Sequence, residues 1–184
     1  EAYEYIDESP FVARPANFPE KTTPGTGIIN IDTGRRIISV INVMGNMCMD
    51  NNLNCAFETV DKMLEKAEGK IKIVDFHAET TSEKRAMGYY LDGRASVVFG
   101  THTHVQTSDC QILPKGTGYI TDVGMTGTIH SVLGVKTEII IEKLKTKLPA
   151  RFDLASGECK MECSLFDVDE KTGLCISAES LRIE

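Results

Sequence analysis

The chain of 184 residues is long enough to bury a hydrophobic core, and its 41% hydrophobic and 26% charged residues are typical of a globular protein. A net charge of −7 argues against an extended nucleic-acid surface, although bound metal ions could still attract a small anionic substrate. No apolar run approaches the roughly 20 residues that span a bilayer, so we expect no membrane contact.

The amino-terminal part combines an irregular segment with a hairpin and a helix. Prolines and glycines interrupt residues 1–27. Residues 27–31 and 36–43 are rich in β-forming side chains and are joined by a turn, which predicts a β-hairpin. Residues 55–67 place apolar side chains on one face at the helical period, with Asn54 as the expected N-cap.

The middle of the chain predicts a strand, a helix and a second strand. Residues 71–76 and 95–99 are short apolar strands. Between them, Thr80 and Glu83 fit a capping box at the start of a helix that Gly93 ends. This order implies two parallel strands joined by a right-handed helical crossover.

The carboxyl-terminal part predicts mostly antiparallel strands, so the whole chain is predicted to be an α/β protein with two sheets packed face to face. The predicted strands are residues 110–113, 118–121, 137–144, 150–154, 158–169 and 174–183, and residues 169–173 form a turn between the last two.

Three of the four histidines follow the two parallel strands. His77 directly follows residues 71–76, and His102 and His104 follow residues 95–99. The carboxyl ends of parallel strands meet at one edge of a sheet, where α/β proteins bind ligands. In extended chain His102 and His104 would face the same way. Because imidazole is a common ligand of zinc, manganese and iron, the spacing predicts a metal site, and histidines bonded to backbone are the alternative.

Other polar residues are candidates for the same site. A two-metal site needs a bridging carboxylate, and Asp75 and Glu79 qualify by position only. Arg14, which shares a loop with Asn17, could bind a phosphate or form a surface salt bridge. Asp122 follows a strand in a glycine-rich segment, where it could orient a ligating histidine or belong to a plain turn.

The cysteines indicate a reducing environment. The chain does not need disulfides to build a core, and its cysteines are scattered, so we expect reduced thiols and a cytoplasmic protein. They are Cys48, Cys55, Cys110, Cys159, Cys163 and Cys175.

Four segments match the pattern of a known family. They are D-F-H-A-E-T-T-S-E-K at 75–84, G-T-H-T-H-V-Q-T at 100–107, Y-I-T-D-V-G-M-T-G at 119–127 and R-P-A-N at 14–17. With these motifs the chain resembles the YmdB-like metallophosphoesterases of the calcineurin-like superfamily, over essentially its whole length.

The resemblance implies a four-layer α/β/β/α sandwich and a metal-dependent phosphodiesterase that acts on small phosphodiesters, cyclic nucleotides in particular. Two metal ions, iron or manganese first and zinc as a further candidate, would form a dinuclear centre whose hydroxide attacks phosphorus. His77 and His102 would bind one metal and His104 the other. Arg14, Asn17 and Asp122 would bind substrate or support the ligands, and a homo-oligomer is compatible with the resemblance.

The family pattern also contains motifs that this chain does not show. The family's amino-terminal part supplies an Asp, a Glu-Asn pair and an Asn-His pair that includes the general-acid histidine. Residues 1–184 would then be the carboxyl-terminal two-thirds of a single domain, and the sandwich would be incomplete at its amino terminus. Two alternatives stay open: an inactive fragment or non-catalytic binding module, and a mononuclear zinc hydrolase that uses only the three histidines.

Overall fold

The computed structural model of the protein describes residues 2–49 and 52–184, which form a mixed α/β fold. Its helices are α1 (Ala2–Glu8), α2 (Ala56–Glu65), α3 (Thr81–Leu91) and α4 (Thr137–Thr146). Its strands are β1 (Ile28–Asp32), β2 (Ile37–Met44), β3 (Ile71–His77), β4 (Val97–Thr101), β5 (Gln111–Ile112), β6 (Gly118–Ile120), β7 (Thr126–Thr128), β8 (Cys159–Val168) and β9 (Cys175–Ile183).

A six-stranded sheet with the order β1-β2-β3-β4-β6-β5 forms the centre of the fold. Strands β2, β3, β4 and β6 run parallel, while β1 and β5 pair antiparallel at the two edges. The predicted hairpin and the predicted parallel pair on either side of α3 are therefore confirmed. The parallel register brings the carboxyl ends of β2, β3 and β4 to one edge of the sheet.

Helices α2 and α3 cover one face of this sheet. The buried face of α2 carries Ala56, Val60 and Met63 at the helical spacing, and it packs on buried sheet residues such as Ile41 and Val74. Asn54 is not its N-cap, because that position belongs to Cys55, whose side chain caps no amide.

The predicted capping box at the start of α3 forms only in part. The Thr80 hydroxyl accepts the backbone N–H of Glu83 at 3.4 Å. The buried Glu83 carboxylate accepts the backbone N–H groups of Asn46 and Met47. Glu83 therefore ties the first turn of the helix to the loop after β2, at the edge where the parallel strands end.

The opposite face of the central sheet is covered by a three-stranded antiparallel sheet, β7-β8-β9, which confirms the predicted face-to-face packing. Gly118 on β6 allows a close approach, since a Cβ there would lie 2.7 Å from the ring of Phe166. A cavity of about 470 Å³ remains between the sheets, with Phe99 and Leu165 among its walls. Helices, central sheet and second sheet make three successive layers.

Two strands predicted in the carboxyl-terminal part are wrong. Residues 137–144 belong to helix α4, although three consecutive isoleucines gave the segment a high β propensity. Glu138 in the first turn and Lys143 and Lys145 in the last turn suit the helix dipole, and no residue of α4 is buried. Residues 150–154 contribute only an isolated bridge through Leu154. Residues 1–27, predicted to be irregular, include the short helix α1.

Gly88 provides a test of how tightly α3 packs on the sheet. A Cβ at this position would lie 2.5 Å from the ring of Tyr119, which is itself buried. We expect Gly88→Ala to lower the free energy of unfolding by about 1–3 kcal/mol, because overpacking outweighs the gain in helix propensity. Urea unfolding followed by circular dichroism measures the change. Ser82→Ala, at an exposed position of the same helix, is the control, and a more stable Gly88→Ala variant would contradict the packing.

Candidate metal centre

The edge formed by the parallel strands brings two of the three predicted histidine ligands into contact. His77 is the last residue of β3 and pairs in register with Thr101, after which His102 follows. The Nδ1 atom of His102 lies 3.0 Å from Nε2 of His77, and the two rings meet edge to face at 4.7 Å between centroids. The fixed register of β3 and β4 therefore places both imidazoles at one point.

His104 lies on the same loop but is exposed, and its side chain has no hydrogen-bond partner in the part of the chain that the structure describes. The expectation that His102 and His104 lie in extended chain is wrong. Their φ angles are 101° and 62°, in the region that L-residues rarely adopt. The role of His104 as a ligand stays a prediction.

Three residues on neighbouring strands form a hydrogen-bonded relay behind His77. Asp75 lies on the same face of β3 as His77, and the buried residues Val74 and Phe76 lie on the other face. Its carboxylate accepts the Thr101 hydroxyl at 2.9 Å and the Asn42 amide at 2.7 Å. The Thr101 oxygen in turn lies 3.1 Å from Nδ1 of His77. Burial raises the pKa of Asp75, partly offset by the hydrogen bonds from Thr101 and Asn42.

Proton counting along the relay assigns one tautomer to His77. A threonine hydroxyl has a single proton, and Thr101 gives it to the Asp75 carboxylate. The Thr101 oxygen must then accept the proton on Nδ1 of His77, which leaves a lone pair on Nε2. Burial, assisted by the adjacent His102, lowers the pKa of His77 and favours the neutral ring. This is the form in which an imidazole binds a metal ion.

His102 is oriented from its other side by Glu79. The carboxylate oxygen Oε2 of Glu79 lies 3.1 Å from Nε2 of His102. On its other side, Nδ1 of His102 faces Nε2 of His77. The 3.0 Å separation of these two nitrogens is a hydrogen-bond distance.

Two imidazole nitrogens this close together could hold the same metal ion. Metal–nitrogen bonds to imidazole are about 2.0–2.1 Å long, so nitrogens 3.0 Å apart are close enough to share one ion. Among residues 2–49 and 52–184, however, no group of three or more His, Cys, Asp or Glu side chains is arranged to hold a metal. The described residues thus bring two imidazole nitrogens together but form no closed metal site.

The loop that carries the histidines is held by a buried ion pair. Lys84 on α3 and Asp122 after β6 are almost inaccessible, and Nζ lies 2.7 Å from Oδ2. The same oxygen accepts the backbone N–H and the hydroxyl of Thr103, the residue between His102 and His104. Burial would raise the pKa of Asp122, but hydrogen bonds from Lys84 and Thr103 and the Gly124 amide outweigh it and lower the pKa.

Arg14 and Asn17, two further predicted site residues, form their hydrogen bonds with main-chain atoms and not with the histidine pair. Asn17 is fully buried and bonds to backbone atoms of Met44 and Asn54, so it supports the loop after β2. The Arg14 guanidinium donates to the carbonyls of Pro15 and Pro24, and it forms no salt bridge among the described residues. Their roles in substrate binding or ligand support stay predictions.

Sequence reasoning missed Thr101 and Lys84, the residues that support the histidines, although the sequence contains an indication of each role. Thr101 pairs with His77 once the strands are aligned in parallel. Lys84 shares the helical spacing of the buried Met87 and Leu91, which marks it as a residue on the inner face of α3. A lysine on such a face needs a carboxylate partner.

Comparisons with known proteins decide the family. The pattern of the YmdB-like proteins matches residues 1–181.

The chain belongs to the YmdB-like family.

A Bacillus subtilis relative, a 2′,3′-cyclic-nucleotide 2′-phosphodiesterase, is 45% identical over 185 residues, which cover 100% of this chain and 69% of the relative. A hypothetical protein from Thermus thermophilus has a solved structure with a TM-score of 0.92 and 39% identity, over 100% of this chain and 71% of that one. A Mycoplasma pneumoniae structure, described as a novel phosphatase, has a TM-score of 0.89 and 33% identity, over 97% of this chain and 65% of that one.

These relatives confirm the predicted family, the α/β metallophosphoesterase fold and the class of enzyme. They also extend beyond the part that this chain matches, since it spans between 65% and 71% of their lengths. No described helix is long and apolar enough to cross a bilayer.

The buried ion pair generates a stability prediction. Lys84→Met leaves the Asp122 carboxylate buried without its cation, so we expect the free energy of unfolding to fall by about 3–5 kcal/mol. Arg36→Met, which removes the exposed ion pair with Glu170, should cost less than about 1 kcal/mol. Thermal and urea unfolding measure both changes, and equal effects of the two substitutions would show that Lys84 carries no special role.

Proposed function

We propose that the chain provides part of the metal centre of a phosphodiesterase that cleaves small phosphodiesters, cyclic nucleotides in particular. The observation that carries the proposal is the 3.0 Å contact between Nε2 of His77 and Nδ1 of His102 at the carboxyl ends of two neighbouring parallel strands. The name of the Bacillus relative supports the choice of substrate.

His77 and His102 would hold one metal ion, and His104 a second. Bound metal ions would provide Lewis acidity toward the phosphoryl oxygens and an acidified water as nucleophile. Iron and manganese are the first candidates because the resemblance to the family implies them, and zinc is the alternative. Thr101 would hold the proton on Nδ1 of His77, and Glu79 the proton on Nε2 of His102, so that the opposite nitrogens stay available.

We also propose a cytoplasmic location and a small-molecule substrate rather than extended nucleic acid. All six cysteines are free, as expected in a reducing compartment. The net charge of −7 opposes a broad nucleic-acid surface but leaves a metal-lined pocket able to attract one phosphodiester.

Activity provides the first test. We expect the full protein that carries this chain to hydrolyse bis-p-nitrophenyl phosphate and 2′,3′-cyclic nucleotides when supplied with Mn²⁺ or Fe²⁺. His104→Ala should lower kcat/KM at least about a hundredfold, because a ligand that stabilises the transition state is lost. His130→Ala, which removes an exposed histidine from another loop, is the matched control.

Two results would count against the enzyme. Turnover retained in His104→Ala would remove this histidine from the mechanism. A monodisperse wild-type protein that binds no metal would favour the non-catalytic binding module.

Metal affinity tests the relay behind His77. Thr101→Val keeps the shape of the side chain but removes the hydroxyl, so the His77 tautomer is no longer fixed. We expect the affinity for Mn²⁺, measured by competition with a chelating dye, to fall about 10- to 100-fold. Thr101→Ser should restore it, and Thr128→Val, at a buried threonine on β7, should leave it unchanged.

Nitrogen-15 NMR of the metal-free protein separates the relay from general packing. The wild type should show a proton on Nδ1 and none on Nε2 of His77, while Thr101→Val should show a mixture of tautomers. A wild type with the proton on Nε2 would overturn the relay even if metal binding were intact.

A further inference from the structure

A second pocket lies between the loop that carries Arg14 and helix α2, and none of the three site histidines lines it. Its volume is about 350 Å³, within the range of pockets that hold small molecules. Arg14 lies on one wall, and the other wall carries Lys62 of α2 and Lys66, which directly follows the helix. Phe18, Ile28 and Met63 give the pocket an apolar side.

Arg14 is the least expected feature of this pocket. The residue is only 9% exposed, yet its guanidinium donates only to two main-chain carbonyls, those of Pro15 and Pro24. Within the described ranges no carboxylate lies within 4.0 Å of it, and its Nη2 nitrogen has no hydrogen-bond partner. The Nη2 nitrogen is accessible to solvent, so it can donate to a ligand that enters the pocket.

The charges around the pocket leave it positive. Lys66 is neutralised by Glu20 at 3.2 Å, but Lys62 forms no ion pair among the residues described. Arg14 and Lys62 thus carry positive charges without an ion-pair partner. The acidic groups at the pocket are Glu20 and Asp7, whose carboxylate accepts the N–H of the lining residue Gly25 at 2.7 Å. The local excess of positive charge runs against the overall charge, which is the pattern of an anion site rather than of an average surface.

We propose that this pocket binds the phosphate group of a small ligand, with Arg14 as its anchor and Lys62 as a second contact. The guanidinium fork matches the geometry of phosphate oxygens, and the free Nη2 nitrogen supplies donors for them. The half-buried ring of Phe18 and the side chains of Ile28 and Met63 provide a surface for an apolar group attached to the phosphate. The ligand is therefore either inorganic phosphate or a nucleoside monophosphate, and the site is separate from the histidine edge.

Titration of the metal-free protein isolates this pocket from the proposed metal centre. Chelator-treated, ¹⁵N-labelled protein is titrated with inorganic phosphate, with AMP and with adenosine, and the backbone amides of Arg14, Gly25 and Gly27 report binding. Arg14→Gln should weaken binding about tenfold or more, since a hydrogen bond to a charged group is lost. Lys62→Gln should weaken it about threefold, because this lysine is exposed and screened.

Lys145→Gln, which removes an exposed lysine from α4, is the matched control and should leave binding unchanged. Lys62→Gln keeps the test decisive if Arg14→Gln lowers the melting temperature. Tighter binding of AMP than of phosphate identifies a nucleotide, and equal binding identifies phosphate alone. The proposal is overturned if these amides do not respond to millimolar phosphate or AMP, if Lys62→Gln binds as tightly as Lys145→Gln, or if only signals near His102 shift.

Discussion

The buried ion pair between Lys84 and Asp122 is the interaction on which the histidine edge depends. Removing two charges from water costs several kcal/mol per ion, and only good geometry with further hydrogen bonds compensates that cost. Asp122 meets the condition, because it accepts bonds from Lys84, from both donors of Thr103 and from the Gly124 amide. One carboxylate thereby joins helix α3, the loop after β4 and the loop after β6.

The two histidines of the pair are positioned by different means. His77 belongs to a strand, so the register with β4 and the relay through Thr101 to Asp75 determine its place and its tautomer. His102 lies one residue beyond β4, so its position depends on contacts of the loop. These are the contact with Glu79 and the hydrogen bond of the next residue, Thr103, to Asp122. Regular secondary structure is rigid and loops are not, so the loop side needs the additional polar contacts.

The sequence predicted the sheet edge well because strand ends and polar residues coincide there. Apolar runs that stop at His77 and before His102 define both strands and their shared edge, with no knowledge of the fold. The loop conformation could not be predicted in the same way. The φ angles of His102 and His104 are positive, and Thr103 between them is held by Asp122, a residue from the loop after β6.

Helix α4 is a segment for which the local sequence pattern predicted the wrong secondary structure. Its isoleucines have a high β propensity. The apolar run is also too short for its periodicity to distinguish a helix from a strand. Lys84 was overlooked for a related reason, since a charged residue on a helix is normally assigned to solvent. For Lys84 the tertiary contact with Asp122 overrides the local pattern, whereas in α4 the charged residues of the first and last turns favour the helix.

The positive φ angles of His102 and His104 lower the stability of the fold, although the proposed metal binding needs both side chains. The left-handed conformation costs an ordinary residue about 1–2 kcal/mol, and glycine adopts it without that cost. Substitution by glycine at either position would therefore raise the melting temperature but remove an imidazole. Selection for stability alone would favour the loss of these two side chains. If they are retained in related sequences, the reason is the function of their ring nitrogens.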